Sequence, residues 1–143
     1  MSPPIVRPRF PVPVQMELKR IIFNEVDDDQ VIVLSELDGS RSLPIVIGLF
    51  EATSIDRRIK QLPTPRPLTH DLIVASIAEL GAKLQDILID DLREATFYAK
   101  LRIRHEGRLL EVDCRPSDAV AVAVCAKIPI FVNESVLGDA EVD

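Results

Sequence analysis

The polar residues best suited to chemistry gather in short clusters. The densest is Asp113-Cys114-Arg115-Pro116-Ser117-Asp118, with two carboxylates, a guanidinium and a hydroxyl in six residues. Paired carboxylates suit Mg²⁺ or another divalent cation, which takes oxygen ligands and keeps waters, so Asp113 and Asp118 are candidate metal ligands. An arginine at a helix start, beside free backbone N–H groups, suits a phosphate. Arg115 could there stabilise transition-state charge, with Ser117 as a substrate contact. An internal Arg–Asp clamp with ordinary helix capping would use the same residues. Cys114 reads either as a thiol of lowered pKa beside Arg115 or as a small buried side chain.

A second cluster is Arg66-Pro67-Leu68-Thr69-His70-Asp71. An imidazole next to a carboxylate can serve as general acid or base, or join a metal site. His70 and Asp71 are therefore catalytic candidates, Asp71 is a third carboxylate for a cation, and Arg66 is a candidate substrate contact. A capped helix start, with Thr69 as the cap and Asp71 favoured by the helix dipole, is the alternative. Glu51 follows Leu43-Pro44-Ile45-Val46-Ile47-Gly48; it is either a functional carboxylate or a dipole partner in a first helical turn. In Lys100-Leu101-Arg102-Ile103-Arg104 charge alternates with apolar residues. A strand would put Lys100, Arg102 and Arg104 on one face, with His105 and Arg108 near its end. That face could bind phosphates or be the solvated side of a half-buried sheet. No HExxH, zinc spacing or nucleophile elbow is present.

The elements that must position these residues follow from periodicity. Met16, Leu18 and Ile21–Phe23 suggest a first strand. Val31–Leu37 is a second, Asp38-Gly39 a hairpin turn, and Leu43–Ile47 a third. Leu49, Ala52, Ile55, Ile59 and Leu62 recur at helical spacing, and Pro63-Thr64-Pro65-Arg66-Pro67 stops that helix. Leu72–Leu80 forms the next helix, with Gly81 as its C′ residue. Strands follow at Leu84–Ile89, Ala95–Arg104 and Leu109–Cys114, with Glu106-Gly107 as a turn. Pro116 opens a helix whose residues Ala119–Val124 are apolar all round, so it belongs between other elements. Pro129–Val132 is a last strand. Strands and helices are mixed without strict alternation, which predicts an α+β fold: mixed or antiparallel sheets with about three helices in one compact domain.

The 143 residues suffice for one domain, since single cores organise roughly 100–150 residues. The net charge of −6 argues against generic nucleic-acid binding, which needs clustered positive charge, though not against a local basic face. Cys114 and Cys125 are the only cysteines and make neither a disulfide framework nor a zinc site. No apolar run reaches the roughly 18 residues of a membrane span, and the N-terminus lacks a secretory pattern. A soluble, cytoplasmic protein is expected. Five of the eleven prolines fall in the first 13 residues. Residues 1–14 read as an extended arm, 15–137 as the domain and 138–143 as an acidic tail.

Taken in order, LPIVIGLFEATSI (43–55), RPLTHDL (66–72), TFYAKL (96–101), DCRPSDAVAVAV (113–124) and PIFV (129–132) resemble the bifunctional nuclease domain family. The resemblance spans about Met16 to Leu137, and RPSDA after an aspartate is its most distinctive part. Cys114 departs from the small residue more usual there. The resemblance implies an α+β domain, a homodimer, and an enzyme class named for cleaving RNA and DNA. Positions matching its motifs are Glu51, Arg66, His70, Asp71, Asp113, Arg115, Ser117 and Asp118. Two functions follow. One is a nuclease acting on nucleic acid, assisted by a divalent cation and needing no organic cofactor, with Lys100, Arg102 and Arg104 positioning the backbone. The other is a non-catalytic ligand-binding or regulatory module in which the Arg–Asp contacts are structural.

Overall fold

Alternating apolar residues turn the first third of the chain into an antiparallel meander. The computed structural model describes residues 12–141. Strands β1 (Pro13–Ile22), β2 (Asp29–Glu36) and β3 (Ser42–Gly48) pair in sequence order. In β3, Leu43, Ile45 and Ile47 point to the core while Pro44 and Val46 face out. Pro44 is tolerated because β3 is the sheet edge. Helices α1 (Leu49–Ile59) and α2 (Thr69–Glu79) follow. A second antiparallel group comprises β4 (Lys83–Arg93), β5 (Thr96–His105) and β6 (Arg108–Cys114). Helix α3 (Pro116–Ala126), strand β7 (Ile130–Asn133) and helix α4 (Glu134–Glu141) complete the described residues.

The α+β class expected from sequence is observed, with one seven-stranded sheet of order β3-β2-β1-β7-β4-β5-β6 and four helices. The short β7 joins the two strand groups, antiparallel to β1 and parallel to β4. Helix α3 packs against both α1 and α2 and against β3, β4 and β5. Its buried run Ala119–Ala123 has no polar side, as a helix enclosed by neighbours requires. Pro116 occupies its first turn, where a missing N–H costs little. Gly81 (φ +79°) closes α2, with Ala82 N–H reaching the Ile77 carbonyl. Two-residue turns with positive φ join β4 to β5 at Glu94-Ala95 and β5 to β6 at Glu106-Gly107.

The proline-rich arm drawn at 1–14 lies outside the described residues as far as residue 11. Pro13 and Val14 pair with Asn133 and Val132. Within the acidic tail drawn at 138–143, residues up to Glu141 continue α4, and residues 142–143 lie outside the description. Val136 and Leu137 anchor α4 in the core, and Arg41 bridges Glu36 to Glu134 at its start. Among the described residues no helix is long and apolar enough to cross a membrane.

Candidate functional site

The first turns of α1, α2 and α3 border a single cavity of about 530 Å³. A continuous line of polar contacts crosses its base. His70, in the first turn of α2 and only 9% exposed, joins the other two helices. Its Nε2 lies 3.0 Å from Asp118 Oδ1 on α3, and its Nδ1 lies 3.1 Å from Ser54 Oγ on α1. An ionised carboxylate can only accept, so Nε2 carries a hydrogen, and in that tautomer Nδ1 accepts from the Ser54 hydroxyl. Arg115, the N-cap of α3, donates from Nε to Asp118 Oδ2 at 2.9 Å and from Nη2 to Glu51 Oε1 at 3.0 Å. Burial pushes the Asp118 pKa up, but the hydrogen bonds from His70 and Arg115 outweigh it and hold the carboxyl below its usual range. The Arg115 side chain stays 66% exposed, so the guanidinium keeps N–H donors for a ligand.

Glu51 owes its place to Gly48. A Cβ at position 48 would meet Glu51 Oε2 at 2.5 Å, so any other residue there would make the carboxylate shift from its place over the start of α1. On its other side, the His70–Asp118–Arg115 group borders a larger cleft of about 930 Å³. That cleft is walled by Ile73 and Ile77 of α2, Val122 of α3, and Phe97, Leu101 and Val112 of the sheet.

The structure thus brings His70, Asp118, Arg115 and Glu51 together and separates the other candidates from them. Asp71 faces away: Oδ2 accepts from Leu68 N–H at 3.0 Å, and Oδ1 accepts from the Cys125 thiol at 2.8 Å beside Arg58. Leu68, not Thr69, is the N-cap of α2, and Asp71 at the third helical position accepts from its amide. Arg66 is exposed on the proline connector beside Arg58 and Asp71 and borders neither cavity at His70. Ser117 is buried in the first turn of α3. Asp113 touches the rim of the large cleft, yet its 75%-exposed side chain turns to Lys100. Lys100, Arg102 and Arg104 do share a face, as the alternation predicts. It is the sheet face opposite that of Phe97, Leu101 and Ile103, which the helices cover. There Lys100 pairs with Asp90 and Asp113, Arg102 with Asp86, and Arg104 with Gln85.

These pairings bear on the cation expected at Asp113 and Asp118. Both Asp118 oxygens already accept hydrogen bonds, and Asp113 is held by Lys100. Among the described residues no three His, Cys, Asp or Glu side chains converge as a metal-holding group. As arranged, the carboxylates do not fit a divalent ion. The cysteines are not activated either. Burial first, then nearby carboxylates, push both the Cys114 and the Cys125 thiols up to about 11. Cys114 is therefore the half-buried small side chain rather than a reactive thiol. Ser54 escaped the sequence reading because a lone serine on a helix carries no signal; its spacing of three from Glu51, on one helical face, was the only cue.

Comparison with known proteins places this geometry in a family. The family model described as Bifunctional nuclease domain matches residues 32–143. The chain belongs to the bifunctional nuclease domain family. That match includes every residue from Glu51 to Asp118 in the His70 network. An uncharacterized protein of Mycobacterium tuberculosis (strain ATCC 25618 / H37Rv) is 44% identical over 124 residues, covering 85% of this chain and 74% of its own. Bifunctional nuclease 2 of Oryza sativa subsp. japonica is 30% identical over 108 residues, 73% of this chain and 33% of that protein. Bifunctional nuclease 1 of Arabidopsis thaliana is 27% identical over 107 residues, 72% of this chain and 33% of that protein. The chain therefore spans about a third of the length of these plant nucleases.

Proposed function

We propose that this chain hydrolyses phosphodiester bonds of nucleic acid at the His70–Asp118–Arg115 network. The observation that carries the reading is the network itself: an imidazole held at both nitrogens and a partly free guanidinium, at the boundary of two cavities. Family membership and the names of the plant relatives support the reaction class. A structural clamp in a non-catalytic module would have its arginine buried and no cleft beside it; here Arg115 is exposed and two cavities adjoin it.

The chemistry follows from the donors and acceptors. Arg115 binds a non-bridging phosphate oxygen and stabilises the charge that grows on it. Water attacks phosphorus and passes its proton to the Ser54 hydroxyl, whose own proton moves to His70 Nδ1. Asp118 holds the imidazolium that forms. The bond from phosphorus to the leaving sugar oxygen breaks on the side opposite the water, that oxygen takes a proton from solvent, and His70 returns its proton to solvent through Ser54. Glu51 fixes the second edge of the guanidinium. Free, unactivated Cys114 and Cys125 agree with a reducing cytoplasm. The homodimer implied by resemblance belongs to the same proposal, supported by Leu72 exposed on α2 and Leu80 exposed at its C-cap. Light scattering should give twice 15.9 kDa, and the single-chain mass would refute it.

Labelled single-stranded RNA and DNA, incubated with the parent protein and with His70→Ala, test the reaction. Loss of general acid–base catalysis should slow cleavage by about 10²–10⁴. Unchanged cleavage would overturn the assignment. An EDTA arm tests for a cation: cleavage lost in EDTA shows that a divalent ion takes part, and cleavage retained leaves the network acting alone.

A further inference from the structure

We infer that the substrate is a single strand whose scissile phosphate lies between two base-binding surfaces, the exposed ring of Phe50 on one side and the apolar cleft on the other. This rests on the nuclease reading and adds the substrate class. Phe50 is 88% exposed, in the first turn of α1, where it contributes nothing to the core. It borders the same cavity as Arg57 and Arg115. An aromatic face beside two guanidinium groups is the combination that holds an unpaired nucleotide, by stacking the base and pairing the phosphate.

The cleft beyond the network has the complementary character. Ile73, Ile77, Phe97, Leu101 and Val112 offer apolar walls at a volume typical of small-molecule sites, roughly 300–1,000 Å³. Of its polar groups, His70, Arg115 and Asp118 lie at the border shared with the Phe50 cavity, whereas Thr96, Tyr98 and Asp113 line it elsewhere. A strand crossing that border would place one base on Phe50, the phosphate at Arg115 and the next base in the cleft. Bases of a duplex are stacked and paired, so neither surface could take one without extrusion. Charge points the same way. A duplex needs a long positive track, but Lys100 and Arg102 are paired with carboxylates on the far sheet face and the chain carries −6 overall.

The test is fluorescence anisotropy with a labelled hexanucleotide and with its duplex, in a His70→Ala background that keeps the strands intact. Phe50→Ala alters an exposed residue, and Val112→Glu puts a like charge at a cleft residue that is 47% exposed, so both variants should fold, with circular dichroism as the check. Each should weaken single-strand binding by about tenfold, as loss of one stacked base does, and the duplex should bind at least tenfold more weakly than the single strand. Affinity within twofold of the background in both variants, or equal affinity for duplex and single strand, would overturn the inference. If cleavage by the parent persists in that case, only the placement of the bases falls. If the parent neither binds nor cleaves any strand, the nuclease reading falls with it.

Discussion

His70 is held at both nitrogens, and that fixes which proton can move. The Asp118 side fixes the tautomer, so exchange with the cavity runs through Ser54. Ser54→Ala should therefore lower the cleavage rate while leaving the melting temperature within a few degrees, measured by initial rates beside thermal unfolding. A different residue-scale prediction concerns the thiols. With both pKa values near 11, Cys114 and Cys125 should react slowly with iodoacetamide at pH 7.5 in the folded protein and quickly once it is unfolded. Fast modification of the folded chain would contradict the burial that raises them. Glu36 is one of the carboxyls that contribute to acid stability. Its hydrogen bond from Arg41 first, then that from Ser40, hold its pKa at about 2, below the ordinary 4.5. A carboxyl lowered on folding stabilises above its unfolded value, and the contribution is lost as pH falls from about 4.5 to about 2. Melting curves across that window should drop, and Arg41→Met should flatten the drop. At this scale the sequence showed which residue types matter but not their partners. His70 adjoins Asp71 in the chain and Asp118 in space. The first turn of α2 sends consecutive side chains to different sides, so adjacency in sequence was the wrong guide.

Among the described residues, five non-glycine positions carry positive φ, and only Glu94 and Ala95 of these are consecutive. Glu94 and Ala95 join β4 to β5 with φ +49° and +63°, conformations that suit glycine or asparagine. Replacing them by Asn-Gly should stabilise the domain by about 1 kcal/mol, raising the melting temperature by about 3 °C. No change or a loss would mean that the turn is not strained. The same turn shows why part of the fold was hidden. Asp38-Gly39 and Glu106-Gly107 announce themselves by their glycines, whereas Glu94-Ala95 has no turn chemistry, and Ala95 reads as the start of β5. Helix α3 was legible because Ala119–Val124 is apolar on every side. Helix α4 was not, since its sequence mixes the acidic Glu134 and Asp139 with only two buried apolar residues, Val136 and Leu137. The pairing of β7 with both β1 and β4 depends on contacts distant in sequence, which local periodicity does not encode.

Across the whole molecule, few of the cations border the cavity of the candidate site. Lys100, Arg102 and Arg41 are each bound to carboxylates away from that cavity, whereas Arg57 lines it and Arg115, paired with Asp118 and Glu51, keeps an exposed guanidinium there. Binding of a single strand should then release few counterions. With one or two phosphate contacts, log affinity should fall with log salt at a slope of about −0.7 to −1.4. A slope of −3 or steeper, from titrations between 50 and 300 mM salt (roughly the range where counterion release is measured), would bring the Lys100–Arg104 face back as the binding surface. The most direct test of the site is the cleavage rate of one labelled single-stranded oligonucleotide by the parent and by Asp118→Asn, at equal melting temperature. The asparagine keeps the shape but removes the charge that holds His70 and Arg115 in place. Hydrolysis at the His70 network predicts a fall of about 10²-fold or more. Equal rates in the two proteins would contradict it.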